Sequence, residues 1–125
     1  MIKVVKNPKK GSGFDLLHSF EGWKVAFITY AEQYDELKIL KRHTQTDEAF
    51  VLVKGEATLY ATDEDFKFTT MRLEKEKLYI VENNTWHHLK VSKDATLIVV
   101  ENSNTTKENT ESRVLDREEI KEILK

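Results

Sequence analysis

The feature that most constrains this chain is a succession of short β-branched and aromatic runs with no helical segment between them. They are Trp23 to Tyr30, Leu37 to Arg42, Ala49 to Val53, Ala57 to Ala61, Phe66 to Leu73, Leu78 to Val81, Trp86 to Val91 and Thr96 to Val100. Runs at this spacing are the signature of a sandwich or barrel. A parallel α/β fold needs a helix between successive strands, and none is in evidence here. Several runs are apolar on both alternating faces, as where Phe50 and Leu52 interleave with Val51 and Val53. That is the pattern of a strand covered on both sides, inside a closed or double-layered sheet. The turns are charged, with Thr62-Asp63-Glu64-Asp65 breaking one hairpin and Glu74-Lys75-Glu76-Lys77 another.

The period changes only near the C-terminus. Leu115, Ile120, Ile123 and Leu124 form an apolar stripe, and Asp116 followed three residues later by Glu119 resembles a capping box. Residues 117–124 are therefore predicted to form a short helix. The expected layout is one domain: an N-terminal strand or arm over 1–22, a barrel over 23–101, a polar loop over 102–114 and a C-terminal helix over 115–125. The polar stretch Asn102 to Arg113 reads as a surface loop or a strap across the barrel mouth. Gly11-Ser12-Gly13 follows no strand into a helix and carries no Lys-Ser/Thr, so it reads as a turn rather than a phosphate cradle.

Composition narrows the function classes. A chain of 125 residues suffices for one core, and 20 Lys/Arg against 22 Asp/Glu leave a net charge of −2. Nothing here matches a polyphosphate backbone or an anionic membrane, so neither nucleic acid nor membrane is expected as a partner. With no cysteine there is no disulfide framework, zinc ribbon, iron–sulfur cluster or thiol nucleophile. The opening Met1-Ile2-Lys3-Val4-Val5-Lys6 lacks the apolar core of a signal peptide, and the expected location is the cytoplasm.

Three of the four histidines fall into two clusters, His43 within Lys41-Arg42-His43-Thr44-Gln45-Thr46-Asp47-Glu48 and the pair in Trp86-His87-His88. Strand parity sorts them. Leu37, Ile39, Lys41 and His43 share one face of their strand and Leu40 and Arg42 the other; His87, Leu89 and Val91 share a face opposite to Trp86, His88 and Lys90. His43 and His87 are the inward candidates, His88 points outward, and His18 and His88 read as surface or packing residues.

From Lys38 to Glu101 these residues resemble the cupins, small β-barrels of the jelly-roll type. The first cupin motif runs His-x-His, three or four residues, Glu, six residues, Gly. Here His43 takes the second histidine's place, Glu48 follows after four residues and Gly55 after six more. The second motif, Pro-x-Gly-x-x-His, is matched by Glu82-Asn83-Asn84-Thr85-Trp86-His87, in which Asn84 can adopt the left-handed conformation that glycine usually supplies. The resemblance implies an all-β, double-stranded β-helix with the short C-terminal helix appended. It also implies pairing as a homodimer and a site that takes a small polar metabolite.

The chain departs from the pattern at Lys41, which stands where the first histidine belongs and cannot coordinate a metal while charged. His43, Glu48 and His87 remain, a two-histidine, one-carboxylate set suited to iron or manganese, with nickel and zinc as alternatives. Gln45 is a weaker fourth ligand, one residue short of the family spacing. In the competing reading no metal is bound. Lys41 then neutralises Glu48 as a buried pair, Lys41, Glu48 and His87 are the candidate catalytic groups, and the histidines supply acid–base chemistry. The function readings that follow are a metal-dependent oxygenase, isomerase or lyase, a metal-free sugar or sugar-nucleotide isomerase, and a non-catalytic small-molecule binding module.

Overall fold

The apolar runs fold as antiparallel strands, ten among the described residues. These are β1 (Phe14–Phe20), β2 (Trp23–Thr29), β3 (Ile39–His43), β4 (Glu48–Lys54), β5 (Ala57–Thr62), β6 (Phe68–Arg72), β7 (Leu78–Val81), β8 (His87–Val91), β9 (Thr96–Asn102) and β10 (Thr110–Val114), followed by the helix α1 (Arg117–Ile123). The structure, a computed structural model, describes residues 1–6, 13–63, 65 and 67–125. Gly11 and Ser12 of the N-terminal turn, Glu64 of the acidic turn and Phe66 at the head of its run lie outside the described residues. Two five-stranded sheets face each other, one in the order β1-β2-β9-β4-β7 and the other β10-β3-β8-β5-β6. This is the double-stranded β-helix that the motifs imply.

Register explains why one end of the space between the sheets is oily and the other polar. On the first sheet Ile28 and Leu52 both pair with Leu97, and Ala26 and Phe50 both pair with Val99. All six are buried, and each of the larger side chains contributes about 1.5–3 kcal/mol by leaving water. The next row is Lys24 paired with Glu101, and Glu48, two residues before Phe50, falls in the same row. On the second sheet Val91 and Leu89 pair with Ala57 and Leu59, and the following row is His87 beside Ala61 and Lys41. Period-two alternation thus carries the apolar core up to one level, and above it both sheets present ionisable groups.

A second apolar cluster lies on the outer face of the second sheet. Leu37, Leu40, Tyr60, Leu115 and Ile123 are buried there, with Trp86 and Ile120 packed alongside. Helix α1 covers this face and begins as its sequence requires: the Asp116 side chain accepts from the Glu119 backbone N–H at 2.9 Å, and the Glu119 carboxylate accepts from the Asp116 N–H at 3.3 Å.

Two expectations are corrected. The polar stretch over 102–114 is not all loop: Thr110–Val114 is an edge strand whose Ser112 pairs with Lys41 and Thr110 with His43. Its sequence hid it because an edge strand exposed on one side needs no apolar alternation. Leu37 does not extend the face of β3; the strand starts at Ile39, and Leu37 turns into the outer cluster.

Candidate metal centre

Backbone hydrogen bonds bring the two motifs together. Asn84 has φ of +63°, the left-handed conformation expected of it, and its N–H donates to the His43 carbonyl at 2.8 Å. The Asn83 N–H donates to Asp47 Oδ1 at 2.8 Å. The turn before β8 is thereby clipped to the end of β3 and to the loop leading into β4, which fixes His43, Glu48 and His87 relative to one another. Gly55, at the far end of β4, has φ of +79°, and a Cβ there would lie 2.7 Å from the Ala95 Cα, so the position accepts only glycine without rearrangement.

Glu48 Oε1 lies 2.8 Å from His43 Nε2 and 3.0 Å from His87 Nε2. The outer nitrogens are also held: His87 Nδ1 is 2.9 Å from the Thr85 carbonyl and His43 Nδ1 is 2.8 Å from Thr110 Oγ1. A carbonyl can only accept, so His87 Nδ1 carries the hydrogen and Nε2 is the atom turned to Glu48. Glu48 and His87 are buried and His43 is half-buried. One donor atom from each of the three residues falls within 4.8 Å of the others. Two imidazole nitrogens and a carboxylate oxygen, with the imidazoles oriented by hydrogen bonds behind them, fit a divalent transition ion.

The electrostatics follow from this packing. Burial pushes the Glu48 carboxyl up, but the hydrogen bonds and charge of His43 and His87 outweigh it and hold the group well below the usual carboxylate range. Burial pushes His43 down, and its bond to Glu48 more than reverses this, leaving it raised. Glu101 is pushed up to about 7 by burial and by repulsion from and hydrogen bonding to Glu48, against the pull of Lys24, whose Nζ is 3.6 Å away. Tyr34, beside both carboxylates, is pushed up to about 12, chiefly by burial.

The structure brings His43, Glu48 and His87 together and leaves the other candidates apart. Lys41 lines the same cavity but makes no ion pair with Glu48. Glu48 is engaged by two imidazoles, and Lys41 is exposed to water. Gln45 is exposed outside the cluster, its side-chain oxygen facing the Asn104 amide at 3.5 Å. His88 faces away from the barrel interior, as parity demands, but is no surface residue. It is buried, stacks on Tyr60 with centroids 6.3 Å apart, and its Nε2 lies 3.0 Å from the Asp35 carbonyl. Trp86 is a packing residue on the outer face, with the Arg42 guanidinium 4.6 Å from its ring centroid.

Sequence reading missed Glu101, Lys24 and Thr110. Glu101 carried a signal: it directly follows the apolar run Leu97 to Val100 and shares the inward parity of Leu97 and Val99. Lys24 could be found only from its register with Glu101, and Thr110 only from the pairing of β10 with β3.

The cavity holding these groups has a volume of about 490 Å³, with Ile28, Phe50 and Leu89 on its apolar side. Among the described residues no helix is long and apolar enough to cross a membrane. No protein-family model and no curated protein sequence matches the chain. Solved structures do match it. An RmlC-like cupin with a double-stranded β-helix fold from Methanocaldococcus jannaschii is 19% identical, over 82% of this chain and 92% of that one, with a TM-score of 0.59. The uridine complex of a Streptomyces PAC13 variant is 14% identical over 94% and 96% of the two chains, with a TM-score of 0.64; another structure describes Pac13 as a nucleoside dehydratase. KdgF from Halomonas sp. is 13% identical over 76% and 81%, with a TM-score of 0.55. With the two facing sheets, these likenesses show that the chain has the cupin fold, a double-stranded β-helix.

Proposed function

We propose that this cupin holds a divalent transition metal through His43, Glu48 and His87 and uses the adjoining cavity to bind a small polar metabolite. The observation that carries the reading is the convergence of three donor atoms within 4.8 Å, with the His87 Nδ1 committed to a backbone carbonyl. Such an ion would supply Lewis-acid chemistry next to the bound metabolite, with positions left open by the three-residue set. The chain's own contribution is to aim the two Nε2 atoms, to line the space around them with Tyr34 and Phe50, and to set a carboxyl group, Glu101, beside the ligand carboxylate. Oxygenase, isomerase and lyase chemistry all suit that arrangement, and iron, manganese, nickel and zinc all suit the donors.

The test is a titration of chelator-stripped protein with manganese, iron(II), nickel and zinc, followed by elemental analysis. One ion per chain is expected. Glu48→Gln and His87→Ala are each expected to weaken binding at least a hundredfold while the chain stays folded by circular dichroism. Unchanged stoichiometry and affinity in both variants would remove the proposed ligand set.

A metal-free acid–base pocket is the second reading, and a specific observation favours it. Glu101, at about 7, and the raised His43 flank Glu48, so the cavity holds groups able to give and take protons near neutral pH. The likeness in fold to a nucleoside dehydratase and to its uridine complex makes nucleosides and related sugars the ligands to try under this reading. Stripped protein that takes up none of the four ions yet binds uridine would move it ahead.

We also propose that two copies pair. The outer face of the first sheet is apolar across four strands, and Leu78, Ile80, Val53, Trp23 and Val100 stay exposed on it.

A further inference from the structure

Resting on the metal reading, we propose that Lys41, assisted by Lys107, anchors an oxyanion on the metabolite, so that the ligand class is a small carboxylate or phosphate ester rather than a neutral sugar. Lys41 shares the inward face of β3 with His43 and is the register partner of His87 across β8. Its side chain therefore lines the same cavity as the metal ligands.

The cavity contains four lysines and four glutamates, and their pairing singles out two of the lysines. Lys24 is committed to Glu101 at 3.6 Å and to the Thr105 carbonyl at 2.9 Å. Lys38 is paired with Glu36 at 3.4 Å. Glu48 is taken by the two imidazoles. Among the described residues Lys41 and Lys107 have no carboxylate partner, although glutamates line the same space. Lys107 opens the 3₁₀ turn Lys107–Asn109, just before β10, the strand whose Ser112 pairs with Lys41.

Charge balance gives the same direction. With Glu101 ionised, four lysines cancel four glutamates, so with neutral imidazoles a bound divalent cation would leave the cavity positive by two, and by three where Glu101 keeps its proton. A cavity in that state attracts an anion, and the two unpaired ammonium groups say where its charged end sits. An ammonium suits either oxyanion because it is a compact charge with rotatable donors and imposes no planar geometry. By linkage, metal and anion should each tighten the binding of the other by the same factor.

The experiment titrates zinc-loaded and zinc-free protein with inorganic phosphate, with succinate and with uncharged ribose, the zinc content of every sample being measured separately. The loaded protein is expected to bind at least one of the two anions ten times or more tighter than the stripped protein does, and ribose more weakly than either. Lys41→Gln is expected to lose at least tenfold in that anion's affinity at unchanged zinc content, Lys41→Arg to retain most of it, and raised salt to weaken it. Preference for phosphate or for succinate distinguishes the two sources of the oxyanion. A wild-type protein that takes up none of zinc, manganese, iron(II) and nickel defeats the metal reading, and if one of the other three is taken up in place of zinc the titrations are run with that ion. Loaded protein that binds neither anion, or whose Lys41→Gln variant binds them as tightly as the wild type, defeats the anchor and leaves the metal reading standing.

Discussion

At the scale of single residues, the least comfortable group in the molecule is Glu101. It lies in the same row as Glu48, so two carboxyl groups share one buried face, and only Lys24 offsets them from that side. Its pKa is raised from 4.5 to about 7, so the unfolded chain gives up this proton more readily than the folded one. The stability linked to Glu101 is therefore fully present below about pH 4.5 and is lost as the pH rises through about 7. Glu101→Gln, which keeps the shape and removes the titration, is expected to make metal-free protein more stable than the wild type at pH 8, by on the order of 2–3 kcal/mol. The difference should vanish near pH 4.5. Urea unfolding at the two pH values in the presence of chelator is the measurement, and a variant less stable at both would mean that the Lys24 contact outweighs the repulsion. This residue also marks what sequence could and could not yield. His43, Glu48 and His87 were legible because their spacing is local to two motifs. Glu101 and Lys24 act through cross-strand register, which depends on the pairing of β2 with β9 and of β9 with β4, strands far apart in the chain.

At the scale of elements, the strands and the C-terminal helix were legible because each repeats its own period: two in the apolar runs, and the wider spacing of Leu115, Ile120 and Ile123 in the helix. The edge strand β10 was not, since Thr110-Glu111-Ser112-Arg113-Val114 has almost no apolar face to bury and is defined by its partner β3. The element that assembles the site is the turn before β8. Its N–H groups at Asn83 and Asn84 reach Asp47 and His43, so its conformation sets the separation of the two histidines. Asn84 sits at φ of +63°, which glycine adopts freely and a β-branched residue does not. Asn84→Gly is therefore expected to keep metal affinity within about threefold of the wild type. Asn84→Val is expected to cost about 1–3 kcal/mol in stability and to weaken metal binding more than tenfold, because the strain is relieved by moving the turn. Equal metal affinity in the two variants, measured under conditions where both are folded, would show that the turn does not position His87.

At the scale of the whole molecule, the sequence made a statement that one copy of the chain does not satisfy. Strands apolar on both faces should be covered on both sides. In the second sheet α1 and its cluster do cover the outer face. On the first sheet the outward positions of β2, β9, β4 and β7 include Trp23, Val25 and Phe27, then Ile98 and Val100, then Ala49, Val51 and Val53, then Leu78 and Ile80. Charge is confined to the margins, with Lys54 at the end of β4 and Asp15 on the edge strand β1, and Leu78 and Ile80 are 60% and 56% exposed. The five most exposed side chains offer roughly 500 Å² to a partner, and the half-buried neighbours bring the face towards the roughly 800 Å² that each partner of a stable complex covers. The proposed occupant is a second copy, because a patch with no charge at its centre carries little pattern of sign to select a different protein and can meet itself across a two-fold axis. Sedimentation of the purified chain is accordingly expected to give twice 14.6 kDa at micromolar concentration. The double substitution Leu78→Glu with Ile80→Glu places charges on side chains already exposed, so each copy should keep its fold while the mass falls to that of one chain. A wild type that sediments as a single chain up to about 100 μM, a range in which a standard-size interface would be populated, would mean that this face stays open to water.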